Sequence, residues 1–311
     1  MPALLRKLAP AAVALLLVSC EDPGTGSHRE SDTKFRFVKE SVYNLITVER
    51  DGDIVDMKFR LGKNASRQTA VNLADPMDLV IPYTRAMLLA ALVQPEPKNI
   101  LQIGLGGGGL NRFLRNMYPQ ASLTTVELDK EVLTMAERYM GFRPDERDRV
   151  LIDDGRASLK KQKAKFDWIF VDAFRGGYVP AHLKTKEFYE ALKGLLAEGG
   201  VVALNVHGGN RLYESDEATL QAVFPEVHVF PVAGKGNVVI LASISGGPRL
   251  GAAGEEAAVR SSAKPEVLRA YLSETQTYYN GRADGARGKV LTDDFAPAEI
   301  LDGQRTSAPA E

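Results

Sequence analysis

Acidic side chains close three successive apolar runs of this chain: Glu127 follows 122–126, Asp153 ends 150–153 with Asp154 next to it, and Asp172 follows 168–171. In an open α/β sheet the ligand lies outside the carboxyl ends of the strands. Carboxylates at successive strand ends are therefore placed to accept hydrogen bonds from a polar molecule bound there. Upstream, the apolar run 100–103 leads into Gly104-Leu105-Gly106-Gly107-Gly108-Gly109, with Gly104, Gly106 and Gly109 at the G-x-G-x-x-G spacing. Glycine at such positions allows a tight turn and lets a ligand press against the main chain where a helix begins. Glu127, one strand later, stands where an acid accepts from both hydroxyls of a ribose. Glycines alone would equally fit a flexible turn, but glycine loop, helix, strand and acid in that order predict a nucleoside-binding site. Asp154 has a second reading as the N-cap of a helix over 155–162, and a turn carboxylate is often simply solvated.

The elements that must position these groups alternate from residue 99 to about 243. Strands are expected at 100–103, 122–126, 150–153, 168–171, 201–205, 226–230 and 237–242. Helices are expected at 110–118, 130–140, 155–162, 185–196 and 215–223. Alternation of this kind predicts an α/β fold with a mostly parallel sheet covered on both faces. No helix separates the last two strands, so they should pair antiparallel at one edge. Ahead of this domain, 43–50 and 54–61 read as a hairpin around Asp51-Gly52-Asp53, and 68–73 as a third short strand. Pro82 opens an expected helix over 82–93. The tail mixes a loop, a helix over 265–276 and an irregular end. The organisation expected is 1–19 signal segment, 20–34 tether, 35–97 small antiparallel β domain with its linking helix, 98–246 nucleoside-binding domain and 247–311 C-terminal extension.

Composition bounds the function. Lys and Arg number 39 against 40 Asp and Glu, a net charge of −1, so neither nucleic acid nor an anionic surface would be captured by bulk electrostatics. The one cysteine, Cys20, follows Arg6, Lys7, a short apolar run over 9–18 and Ser19. That run is too short to span a bilayer and fits the apolar part of a signal peptide. Leu17-Val18-Ser19-Cys20 resembles a bacterial lipobox, which implies cleavage before Cys20, lipidation of its thiol and an exported, membrane-tethered protein. The bland alternative is an uncleaved apolar N-terminus.

Four stretches carry a family resemblance: Ile103 to Gly109, Thr125-Val126-Glu127-Leu128-Asp129, Ile152-Asp153-Asp154-Gly155, and Phe166 through Ala173. With Glu187-Phe188-Tyr189, the 195–201 stretch and Leu291-Thr292-Asp293-Asp294-Phe295-Ala296-Pro297, they resemble the spermidine synthases, above all their divergent relatives. Arg67-Gln68-Thr69 and Pro82-Tyr83 echo the family's N-terminal sheet and the helix after it. The resemblance implies a methyltransferase-like Rossmann fold behind a small β domain. It implies transfer of an aminopropyl group from decarboxylated S-adenosylmethionine to an amine such as putrescine, and a possible homodimer. Carried over by position, Glu127 holds the ribose, Asp154 the adenine amino group and Gln68 part of the nucleoside, with Asp153 counted among the donor-binding residues. Asp172 is the catalytic carboxylate; Tyr83, Arg175 and Tyr178 face the acceptor. The attacking amine must be neutral, so a carboxylate that orients it and takes its proton is what this chemistry requires. The donor is a co-substrate; no metal and no permanently bound cofactor is expected.

Several positions depart from the family pattern. Gly107 replaces an aspartate that grips the donor's amine. Arg175 replaces an aspartate, and a guanidinium repels a cationic polyamine unless it turns to the surface or recognises an anionic acceptor. Thr84 and Arg85 replace a His and a Glu beside the tyrosine, while His182 and His207 lie in loops near the acceptor side. Export also separates the protein from cytoplasmic adenosyl donors. Two further readings stand beside aminopropyl transfer: a lipid-anchored, non-catalytic binding protein, and an S-adenosylmethionine-dependent methyltransferase. Gln102 speaks against the latter, because it replaces the acid usual in methyltransferase glycine motifs. A nicotinamide dehydrogenase fits least.

Overall fold

The computed structural model describes residues 34–61, 64–174, 178–234 and 236–297. The expected signal segment, Cys20, nearly all of the tether and Arg175 lie outside the described residues. The chain begins with a four-stranded antiparallel meander: β1 (Lys34–Glu40), β2 (Leu45–Asp51), β3 (Ile54–Leu61) and β4 (Asn64–Asn72). Strand β1 was not expected, and Lys34, assigned to the tether, already belongs to it. Its residues alternate between exposed and partly buried, with Lys34 and Arg36 paired to Asp51 and Glu49, so the charge content hides the period of two.

Helix α1 (Pro82–Met87) continues as a 3-10 turn over Leu88–Leu92 and delivers the chain to the main sheet. There β5 (Asn99–Ile103), α2 (Gly109–Met117), β6 (Ser122–Glu127), α3 (Lys130–Tyr139), β7 (Asp148–Ile152), α4 (Gly155–Leu159) and β8 (Phe166–Val171) alternate. A 3-10 turn over Ala181–Leu183, α5 (Lys186–Leu195), β9 (Leu196–His207), α6 (Tyr213–Gln221), β10 (Glu226–Pro231) and β11 (Asn237–Ser243) follow. The end adds α7 (Ala252–Val259), α8 (Pro265–Thr275) and β12 (Gly281–Arg282). Helix α7 and β12 are additions to the expected elements, and α4 stops at Leu159 rather than 162.

The sheet order is β12-β10-β11-β9-β8-β5-β6-β7. Strands β5 to β9 run parallel, while β10, β11 and β12 are antiparallel additions. The chain winds outward from β5 through β6 to β7, then returns to β5's other side with β8. The switch in winding direction therefore falls between β5 and β8, the crevice where such sheets bind ligands. Alternate residues feed two cores: Ile100, Trp168, Phe170 and Ala203 pack under α1, α2, α7 and α8, whereas Leu101, Ile169, Val171 and Val202 pack under α5 and α6. Burial on both faces is why these strands read as unbroken apolar runs.

The small sheet has no separate core. Ile46, Val48, Val55, Met57 and Val71 pack on Val132, Met135 and Met140 of α3 and its end, each fully buried side chain contributing about 1.5–3 kcal/mol. This packing anchors β4, and with it Gln68, beside the main sheet.

Candidate active site

The glycine loop and Asp172 meet at the switch point. Asp172 N donates to Ile103 O at 2.9 Å and Gly104 N to Val126 O at 2.8 Å, lacing the ends of β5, β6 and β8 together. Gly104 has φ +97°, and a Cβ there would stand 2.2 Å from the Asp172 carbonyl oxygen. Only glycine permits that approach. The three motif glycines thus do different work: Gly106 has φ +56°, while Gly109 starts α2 in ordinary helical conformation. Behind Gly107, where the family resemblance calls for an acid, a Cβ would meet Met140 Cε at 2.5 Å. The buried thioether fills that position.

Glu127 ties the loop to β6. Its Oε2 accepts from Leu105 N and its Oε1 from Asp129 N, both at 2.9 Å. Burial pushes its carboxyl up, against the pull of these backbone N–H groups. Next to it, Leu128 and Ile152 are exposed apolar side chains at adjoining strand ends. Asp154 takes the capping role considered for it. Oδ1 caps α4 by accepting from Arg156 N and Ala157 N at 3.0 and 2.9 Å, while Oδ2 lies 2.9 Å from His182 Nε2. Burial alone would raise its carboxyl, but the Ala157, His182 and Arg156 contacts outweigh it and hold the group below the usual range. Asp153 is engaged elsewhere, with Lys161 Nζ at 2.5 Å and Asp154 N at 3.0 Å.

Asp172 is partly exposed at the end of β8 and receives two neutral donors. Tyr83 O–H reaches Oδ2 at 2.8 Å and Asn205 Nδ2 reaches Oδ1 at 2.9 Å. Burial pushes its carboxyl above the usual range, opposed by those two hydrogen bonds. Burial and the Asp172 charge push the Tyr83 phenol well up, so it stays a donor. A carboxylate with raised proton affinity is suited to take a proton. The register explains Gln68: Met57 faces Thr69 and Lys58 faces Arg67, making Gln68 the extra residue of a β-bulge. Bulges re-aim side chains, and here the Gln68 carbonyl lies 3.5 Å from the Tyr83 hydroxyl.

The remaining candidates separate. Arg85 turns away from Asp172: its Nε donates to Leu79 O at 2.6 Å, and the guanidinium sits near Asp78, Glu274 and the Tyr271 ring. Thr84 Oγ1 donates to Ile81 O within the helix start. These two replacements are structural. His207 is exposed at the end of β9, with Nδ1 accepting from Gly209 N. Tyr178 is partly buried on the segment leading into the turn that carries His182. Asn205 escaped the sequence reading, although a lone amide inside Val201-Val202-Ala203-Leu204-Asn205-Val206 was its signal. So did Arg156, which binds Asp293 of the C-terminal segment through both guanidinium nitrogens at 2.6 and 2.5 Å.

Known proteins resemble this chain in sequence and in fold. The spermine/spermidine synthase domain matches residues 82–232, which contain the glycine loop and all four strand-end acids. A polyamine aminopropyltransferase of Vibrio vulnificus is 35% identical over 273 residues, covering 85% of this chain and 90% of the relative. One of Chromobacterium violaceum is 36% identical over 200 residues, covering 63% of this chain and 75% of the relative. The crystal structure of a probable spermidine synthase from Corynebacterium glutamicum superposes with a TM-score of 0.62 at 24% identity, covering 81% of this chain and 97% of that one, and so shares the fold. With a relative at 35% identity across most of both chains, and with the strand-end acids and glycine loop inside the matched domain, this chain belongs to the spermine/spermidine synthase family.

Proposed function

We propose that the protein is an aminopropyltransferase acting on an amine with a decarboxylated S-adenosylmethionine-type donor. The observation that carries the reading is Asp172, a carboxylate of raised proton affinity set against the glycine loop and held by Tyr83 and Asn205. In the reaction the acceptor nitrogen attacks the methylene beside the donor sulfonium. The carbon–sulfur bond breaks, methylthioadenosine leaves, and the proton of the new ammonium passes to Asp172. Glu127 accepts from the ribose hydroxyls, Asp154 from the base amino group, and exposed Leu128 and Ile152 offer apolar surface to the base. Gln68 completes the nucleoside site from the bulge, and the acceptor lies towards Tyr83, Tyr178 and Arg175, the last outside the described residues.

Methyl transfer from S-adenosylmethionine is the second reading. Met140 behind Gly107 favours it, since no acid there selects a donor amine over a donor carboxylate. We also propose that Cys20 is lipidated and the protein exported; unchanged processing of Cys20→Ser would refute this. The test of function is methylthioadenosine release by the purified full chain, with each donor and a panel of di- and polyamines. Release with the decarboxylated donor that requires an amine supports aminopropyl transfer. Methylated product from S-adenosylmethionine, with no methylthioadenosine, overturns it.

A further inference from the structure

The polar row at the strand ends extends past Asp172. Asn205, 3% exposed on β9, gives its Nδ2 to Asp172 Oδ1, and its own Oδ1 accepts from Asn237 Nδ2 at 3.0 Å. In the β9–β11 ladder Asn205 faces Val239 and Asn237 faces His207, so the two asparagines are diagonal neighbours on one face of the sheet. Parallel pairing of Val171 with Leu204 then sets Asp172 beside Asn205. Three residues far apart in the chain form one line, β8 to β9 to β11.

An amide side chain is nearly symmetric in shape and opposite in chemistry at its two ends. Turned one way, Asn205 offers Asp172 an N–H. Turned the other, it sets a carbonyl oxygen against the carboxylate. The Asn237 N–H meets the Asn205 oxygen at 3.0 Å, which favours the first arrangement, and it polarises the Asn205 amide so that its N–H is the stronger donor. Of the groups bonded to the Asp172 carboxyl, Tyr83 from α1 is the titratable one and Asn205 from β9 the neutral one; the glycine loop brings backbone to the same strand end.

We propose that Asn237 is a positioning residue: acting through Asn205, it holds the Asp172 carboxylate in the orientation and charge state needed to receive the acceptor's proton. The catalytic consequence rests on the aminopropyl-transfer reading; the effect on Asp172 does not. Relative to wild type, Asn237→Ala removes the donor to Asn205 Oδ1. Asn237→Asp keeps the shape but, once ionised, cannot donate and favours the flipped amide.

The test is a carbon NMR titration of the isotope-labelled aspartate carboxyls of the full chain, with Asp172 assigned through Asp172→Asn. Calorimetric binding of methylthioadenosine and steady-state kinetics accompany it. Asn237→Ala is expected to raise the proton affinity of Asp172 roughly threefold to tenfold, and Asn237→Asp to raise it further. Methylthioadenosine affinity should stay within roughly twofold of wild type, with kcat falling and the donor KM unchanged. An Asp172 titration unmoved in both Asn237 variants, while Asn205→Ala moves it, overturns the proposal. If the wild-type protein transfers no aminopropyl group, the functional reading fails, and the titration still decides the role of Asn237.

Discussion

Substitution of the three motif glycines by alanine should have sharply unequal effects, and Gly104→Ala should be the most damaging. At Gly104 the backbone is at φ +97° and the new Cβ would lie 2.2 Å from the Asp172 carbonyl oxygen, about 1 Å inside contact distance. The positive φ costs an L-residue about 1–2 kcal/mol. Forcing the β5 and β8 ends apart costs about 1–3 kcal/mol more, as in other overpacked sites. The expected loss is about 2–5 kcal/mol. Gly106→Ala keeps a permissible left-handed φ of +56° and meets only Thr69 at 3.3 Å, for about 1–2 kcal/mol. Gly109→Ala gains about 1 kcal/mol of helix propensity against a Val71 methyl at 3.1 Å, so it should lie within about 1 kcal/mol of wild type. Urea unfolding of the three variants, with the slope checked for constancy, measures the series. Gly104→Ala should also lose methylthioadenosine binding, because Asp172 and the loop move together. A Gly104→Ala protein as stable as wild type, or Gly109→Ala as damaged as Gly104→Ala, would refute the reasoning.

Other perturbations test separate parts of the structure. Burial pushes the Asp148 carboxyl from 3.8 to about 6 despite the Asn111 hydrogen bond. The folded state therefore holds its proton more tightly, and stability falls by about 3 kcal/mol as pH rises from below 4 through about 6. Asp148→Asn should remove that slope and be the more stable protein at pH 7; an unchanged thermal profile across this window counts against it. Tyr83→Phe removes a hydrogen bond that favours the charged form of Asp172, so the acid limb of the pH–rate profile should move to higher pH with donor KM unaltered. A limb that stays in place would show that Tyr83 does not act on the carboxylate. Arg156 holds Asp293 down to about 2. The pair is 26% and 45% exposed, so Asp293→Asn should cost about 1 kcal/mol or less globally. Proteolysis of the C-terminal segment should nonetheless quicken, and equal cleavage rates would mean that the pair does not hold it.

Much of the site was legible in the sequence because its chemistry interrupts a period. Glu127, Asp154 and Asp172 are acids at the ends of apolar strands, and Gly104 to Gly109 break the pattern between strand and helix. Strand β1 and helix α7 were harder to read. Charged residues mask the alternation of β1, and Ala-Ala-Gly-Glu-Glu-Ala-Ala-Val in α7 carries little amphipathic contrast. Arg85 stands where the family resemblance has a Glu beside the tyrosine, yet its guanidinium turns to α8, with a partner 189 positions along the chain at Glu274.

Sequence alone determined the α/β order, the glycine loop and the strand-end acids, since periodicity and breaks are properties of neighbouring residues. Tertiary structure alone decided which groups meet: Tyr83 and Asn205 on Asp172, His182 on Asp154, Met140 behind Gly107, and the Gln68 carbonyl, at the bulge, near Tyr83. Each of these depends on the register of strands joined by long crossovers. A local pattern fixes the face of a strand on which a side chain lies, whereas its partner across the sheet is set by how the whole chain packs.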